Sequence, residues 1–168
     1  MMRWRCGAAA AWRVAAMVLV MAAVMPVPGA AADSEGQADP MVPEEFAITS
    51  EVPTLAELDA QIRLLVGTSA PDWAKAAQLE GGDRAVVVPK MIYRAGFFRS
   101  PKGFSTVTGP ETHEVGRHTA VINASRQGAP TIQIVAEWRR IDGRWKLASK
   151  SLCNGIATVG LPIPCNFQ

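Results

Sequence analysis

The chain has 168 residues, 49% hydrophobic and 19% charged, with 17 Lys+Arg against 15 Asp+Glu and a formal net charge of +2. No segment repeats with a period of roughly 20 to 50 residues, and neither zinc-finger spacing nor an aromatic-interleaved Lys/Arg tract is present. These absences exclude a solenoid and set nucleic-acid binding aside.

The first element is a leader. Arg3, Arg5 and Arg13 make a positive start, Val14 to Met25 is a run without charge, and Pro26, Val27, Pro28 and Gly29 break it. Ala30, Ala31 and Ala32 then supply the small residues of a cleavage site, so residues 1–32 are expected to be a signal peptide removed after Ala32, with the product secreted or at the cell envelope. The alternative is an uncleaved anchor, for which the run is short of the roughly 20 residues that span a bilayer as a helix. Cys6 precedes the apolar run and would leave with the leader. No stable membrane span is expected after cleavage.

Removing the leader leaves 14 bases against 15 acids, so the apparent basicity belongs partly to the leader. Residues 33–52 hold Asp33, Glu35, Asp39, Glu44, Glu45 and Glu51 with no base and few large apolar groups, which reads as an acidic flexible linker. Residues 53–168 carry all 14 remaining bases against nine acids and suit a single domain. The excess is modest. It fits a solvated mixed surface, although anionic envelope polymers or lipid head groups are partners such a surface can touch.

Within that domain, Thr54 with Glu57 three residues on is a capping box that opens a helix. Leu55, Leu58, Ile62, Leu65 and Val66 share one face, Glu57, Asp59, Gln61 and Arg63 the other, and Gly67 ends it. A shorter helix is expected over 72–79, stopped by Gly81 and Gly82. A third follows Pro89, where Val88, Ile92, Ala95 and Phe98 make an apolar face widened by Met91, Tyr93 and Phe97.

After Gly103 the period becomes two, with strands expected over 103–108, 114–125, 130–141 and 144–153. Asp142-Gly143 is a two-residue hairpin turn. Its register sets Arg140 opposite Trp145, Trp138 opposite Leu147, Ala136 opposite Ser149 and Ile132 opposite Cys153. One hairpin face is then apolar, with Trp138, Trp145 and Leu147, and the other carries Glu137, Arg139, Lys146 and Lys150. N-terminal helices packed on a curved antiparallel sheet of about four strands make an α+β fold.

Three segments carry a resemblance: Pro53-Thr54-Leu55-Ala56-Glu57-Leu58, Leu79-Glu80-Gly81-Gly82, and Gly143-Arg144-Trp145-Lys146-Leu147-Ala148-Ser149-Lys150-Ser151. In this order they resemble secreted low-molecular-weight antigens of mycobacteria and other actinobacteria, over roughly residues 50–168. The resemblance implies a nuclear-transport-factor-two-like, or cystatin-like, cone. It also implies export, and no particular activity, since none of the three segments is a catalytic motif.

Few residues could carry chemistry. Cys153 and Cys165 fit neither a redox pair nor a zinc site, and outside the cell they read as a disulfide, worth about 3 kcal/mol in the chain-entropy model. Ala120, Ile122 and Ala124 are expected to face inward, and strand parity puts His118 and Glu114 on the same side. That is the one acid-base pair the sequence offers, in the manner of a small cone-type isomerase or dehydratase. His113 reads as a loop residue. Ser125, Ser149 and Ser151 lack the glycines of a nucleophile elbow, and Asn123-Ala124-Ser125 reads as a chance sequon.

No cofactor or metal is indicated. Trp138, Ile122, Phe98 and Tyr93 are candidates to line a ligand pocket in the cone. The favoured expectation is therefore a non-enzymatic protein that binds a small ligand or envelope partner. A homodimer through the polar sheet face is a further expectation, weakened by Lys146 lying opposite Arg139.

Overall fold

The computed structural model describes residues 46–167. The leader, Cys6, the cleavage site and residues 33–45 of the expected linker lie outside the described residues. Among those described, no helix is long and apolar enough to cross a membrane.

Helix α1 (Leu55–Gly67) begins as its sequence dictates. The Thr54 hydroxyl accepts from the Glu57 amide, and Glu57 Oε2 accepts from the Thr54 amide at 2.7 Å. Leu58, Ile62, Leu65 and Val66 are buried as their spacing requires. Asp59 pairs with Arg63 but also accepts from the Val107 amide at 2.9 Å, tying the helix to the sheet.

α2 (Asp72–Ala76) is shorter than the expected 72–79, because residues 78–80 straighten to pair with the last strand. A single turn, α3 (Gly82–Ala85), leads into α4 (Val87–Ala95). α4 starts two residues ahead of Pro89, which is tolerated because the first turn needs no amide donors. Val88 and Ile92 are buried, but Met91 is 42% exposed, so the apolar face is narrower than the sequence suggested.

Four antiparallel strands follow in the order β1 (Gly103–Glu114), β2 (Arg117–Arg126), β3 (Ile132–Ile141) and β4 (Arg144–Leu147). β1 runs on past the expected end at residue 108, with a register shift between Thr108 and Thr112 at Pro110, which has no amide to give the ladder. His113 is therefore in a strand, opposite His118, and not in a loop. The Asp142-Gly143 turn has φ of 51° and 76°, and Arg140 faces Trp145 and Trp138 faces Leu147 as the hairpin register requires.

That register stops at Leu147. Residues 149–158 form α5 (Ser149–Thr158) instead of continuing the strand, so Ala136 does not face Ser149, nor Ile132 Cys153. The alternation of buried Trp145, Leu147, Ser149 and Ser151 imitates a strand, while Leu152 and Ile156 obey helical spacing. Tertiary contacts favour the helix. Ala148 offers no side-chain cap, and Glu80 supplies it from outside by accepting from the Ser149 amide at 2.8 Å. The Ser151 hydroxyl accepts from the Glu137 amide at 2.8 Å, taking up a donor that a longer β4 would have used.

The Leu79-Glu80-Gly81-Gly82 segment now has a physical account. Leu79 bridges to Leu147, Glu80 caps α5, and a side chain at Gly81 would meet Ala85 Cβ at 3.0 Å and Ser149 Oγ at 3.1 Å. Gly82 has φ of 53°, where a side chain is strained.

α1, α4 and α5 lie against the inner sheet face, burying Leu58, Leu65, Val88, Ala120, Ala136, Trp138 and Trp145 in one cluster. A buried amide network crosses it. Gln61 Nε2 donates to Gln78 Oε1 at 2.9 Å and to the Trp145 carbonyl at 2.8 Å, and Gln61 Oε1 accepts from Trp138 Nε1 at 2.7 Å. Gln61 is fully buried, although its helical position groups it with the solvent-facing residues.

Residues 46–50, grouped by composition with the acidic linker, pack on the hairpin, while Glu51 and Val52 are exposed. Ile48 is 2% exposed, its carbonyl accepts from the Trp145 amide at 2.9 Å, and the Ser50 carbonyl accepts from Trp145 Nε1 at 2.9 Å. Together with residues 78–80 this segment covers the outer edge of β4, where free ladder groups would otherwise invite another chain.

Candidate functional site

Two places among the described residues bear on the site residues expected from the sequence. The first is an apolar cavity of about 70 Å³ between α1, α4, α5 and the sheet. Ile62 and Leu65 of α1, Ile92 of α4, Ile122 and Ile134 of the sheet and Ile156 of α5 are in its wall, with Phe98. Ser105 and Ser151 are the polar residues of the lining. Ligand pockets for drug-sized molecules run to about 300–1,000 Å³. As it stands, this cavity admits only a small apolar group.

Of the four residues expected to line a pocket, Ile122 and Phe98 are in that wall. Trp138 is not, being 0% exposed with its indole nitrogen committed to Gln61. Tyr93 lies elsewhere, its ring contacted by the Lys75 ammonium at 4.9 Å and the Arg99 guanidinium at 4.4 Å. Lys75 is itself buried, donating to the Leu65 and Thr68 carbonyls at 2.9 and 2.8 Å and so satisfying the end of α1. Burial lowers its pKa to about 8, against the pull of Asp72 and with that of Lys90.

The second place gathers both histidines of the chain. His118 faces inward, 1% exposed, as the parity of Ala120 and Ala124 demands. Its ring lies 5.7 Å from that of His113 and 6.2 Å from Trp145, and His113 is 5.9 Å from Trp145. His118 Nε2 is 3.3 Å from Glu111 Oε2, within ion-pair range but out of line for a hydrogen bond. Burial pushes the imidazole pKa below its ordinary value, Glu111 opposing and His113 reinforcing the shift.

Glu114 does not share this face. The parity argument assumed a continuous strand from 114 to 125, but a turn at Val115 and Gly116 divides it. Glu114 is thus one residue beyond His113 on β1 and points to the opposite side, opposite Arg117, whose guanidinium it approaches at 3.7 Å. The carboxylate that reaches His118 is Glu111, two residues before His113 and on the same face of β1 by strand alternation. The expected end of β1 at residue 108 hid it. Among the described residues, no group of three or more His, Cys, Asp or Glu is arranged to hold a metal ion.

The remaining residues singled out by sequence are structural here. Cys153 and Cys165 are disulfide-bonded with Cα atoms 5.4 Å apart, fastening the C-terminal segment to α5 and not to a last strand. Asn123 is in β2, donating to Thr108 Oγ1 at 2.7 Å and accepting from Gln133 Nε2 at 3.1 Å. Arg139 does lie opposite Lys146, its charge met by Glu137 and Glu80.

Residues 51–163 match the family described as the C-terminal domain of the low molecular weight antigen MTB12. That span includes all three motif segments from the capping box onward, and the chain belongs to this family. No curated protein and no solved structure matches it.

Proposed function

We propose that this member of the low-molecular-weight antigen family is an exported, non-enzymatic domain that binds an apolar group in the cavity between α1, α4, α5 and the sheet. The observation that supports this reading is the cavity itself. Its lining is aliphatic and aromatic, with two serine hydroxyls, and Ser151 already has a partner in the Glu137 amide. Such a lining favours an alkyl or aryl group over a polar one, by about 25 cal/mol per Å² of apolar surface removed from water.

Native mass spectrometry of the protein recovered after export tests the proposal, with titration of xenon or benzene followed by the NMR shifts of the cavity methyl groups. A co-purified ligand, or binding weakened by filling the cavity with Ile134→Phe, supports it. Absence of both a bound species and any such shift refutes it. Intact mass of the same sample reports a start at Asp33 or a retained leader. Light scattering decides whether the outer sheet face forms a homodimer.

The rival reading is a small isomerase or dehydratase working through His118 with Glu114. The convergence of two imidazoles and a carboxylate favours acid-base chemistry at this end of the sheet, but with Glu111 in the part assigned to Glu114. His118 is outside the cavity wall and 1% exposed, so a substrate could reach it only after movement of the surrounding chain. If any turnover found in the exported protein is abolished by His118→Ala and Glu111→Gln, this reading displaces the first.

A further inference from the structure

We infer that α4 and the turn before it form a docking surface for an anionic lipid bilayer. The inference is independent of the cavity and begins with charge. Between Asp83 and Glu111 the chain carries Arg84, Lys90, Arg94, Arg99 and Lys102 and no acid. The stretch therefore carries five positive charges, with Asp72 and Asp83 the carboxylates at its border.

Helical geometry presents that charge together with apolar groups. Val88 and Ile92 are buried, which leaves Val87, Lys90, Met91 and Arg94 at i, i+3, i+4 and i+7 on the opposite, solvent-facing stripe. Val87 is 45% and Met91 42% exposed. Arg84 is exposed on the preceding turn, and the side chains of Arg99 and Lys102 fold back over Gly96 at the far end of α4, extending the basic stripe in both directions. Lys90 Nζ is 2.8 Å from Asp72 Oδ2, which brings the start of α2 against this face; the next residue, Trp73, is 57% exposed. Among the described residues Arg84, Arg94 and Lys102 have no carboxylate partner within ion-pair distance.

A hydrated polyanion would use the bases and leave Val87, Met91 and Trp73 in water. A bilayer interface uses both, since lipid phosphates meet the guanidinium and ammonium groups while aliphatic side chains and an indole enter the head-group boundary. Each base near an anionic surface contributes about 1 kcal/mol, or about fivefold in binding, and the contribution is screened by salt. A bilayer surface accounts for the paired exposure of charge and apolar groups on a single helical stripe.

Co-sedimentation of the exported chain with vesicles tests the inference, comparing phosphatidylglycerol-containing with pure phosphatidylcholine vesicles at low and high salt. Any contribution from a retained leader is common to wild type and variants and cancels in the comparison. The expected result is binding that requires phosphatidylglycerol and is released by salt. It should fall at least about tenfold in the double variant Arg84→Glu/Arg94→Glu and severalfold in Val87→Ser/Met91→Ser. Lys150→Glu, an exposed base on α5, should leave it unchanged.

All the altered side chains are exposed and Lys90, paired with Asp72, is kept, so unchanged melting is expected for each variant. A wild-type measurement stands beside them. The emission component lost in Trp73→Phe should shift to shorter wavelength and be quenched by brominated lipid, because Trp138 and Trp145 are buried. Equal binding to uncharged vesicles, no loss on charge reversal, or an unquenched Trp73 overturns the inference. So does capture of soluble polyphosphate with no effect of Val87→Ser/Met91→Ser, which identifies a polyanion site instead.

Discussion

Replacing Gln61 by Leu should be among the most damaging single substitutions in this domain, although the new side chain is similar in size and more apolar. Gln61 is fully buried and satisfies three groups at once: the Trp138 indole N–H at 2.7 Å, the Trp145 carbonyl at 2.8 Å and the Gln78 side-chain oxygen at 2.9 Å. Leucine leaves all three without that partner in a site closed to water. An unmet buried polar group costs about 1–3 kcal/mol. Gln78 keeps its bond to the Phe46 carbonyl at 2.8 Å and can adjust, and Leu gains some apolar burial. The net loss should then be about 3 kcal/mol, a large part of the roughly 5–15 kcal/mol that holds a typical domain together.

Urea unfolding followed by far-UV circular dichroism, with the disulfide kept oxidised, measures this loss. The double variant Gln61→Leu/Trp138→Phe removes the strongest donor along with its acceptor and should recover part of the cost. A coupling of about 1 kcal/mol between the two positions is expected. A loss below about 0.5 kcal/mol for Gln61→Leu, or strictly additive effects, would refute the claim that this network holds α1 to the hairpin.

Three further outcomes are expected. Glu80→Ala removes the carboxylate that accepts from the Ser149 amide and pairs with Arg139, and should cost about 1–2 kcal/mol, with hydrogen exchange accelerated in the first turn of α5 before elsewhere. Gly155→Ala should stabilise by about 0.5–1 kcal/mol, because the added methyl meets Ile134 at 3.8 Å, an ordinary contact, and a glycine leaves the helix interior; a lower melting temperature contradicts this. His118 resists protonation when folded, so the unfolded chain binds the extra proton first, and stability present above about pH 6.5 declines as pH falls below it. His118→Phe should flatten that decline while leaving the later loss at lower pH, where Glu57 and Glu137, both held below the ordinary carboxylate value by their hydrogen bonds, take up protons. An unchanged slope in melting temperature near pH 6 would show that His118 is not its source.

Local signals were legible wherever a few neighbouring residues settle the outcome. The capping box of Thr54 and Glu57, the apolar stripe of α1, the Asp142-Gly143 turn and the first two pairs of its register, and the inward parity of Ala120 and Ala124 all depend on contacts or dihedrals within a few positions. The family followed from three short segments of the same kind. The histidine site was less legible, because ending β1 at residue 108 left Glu111 and His113 off the ladder. Glu111 and His113 share the His118 face once β1 continues to Glu114, and Glu114 is turned away by a two-residue turn that the alternation of β1 and β2 hides.

By itself, then, the sequence determined the α+β arrangement, the start of α1, the tight hairpin and the family. Tertiary structure decided that residues after Ala148 are helix and not strand, because Glu80 and Ser151 take up the backbone donors that would have chosen between them. It also decided that Gln61 is interior and that residues 46–50 pack against the hairpin. A side chain's burial is set by whatever packs over it, and here the indoles of Trp138 and Trp145 wait for groups more than 70 residues away in sequence.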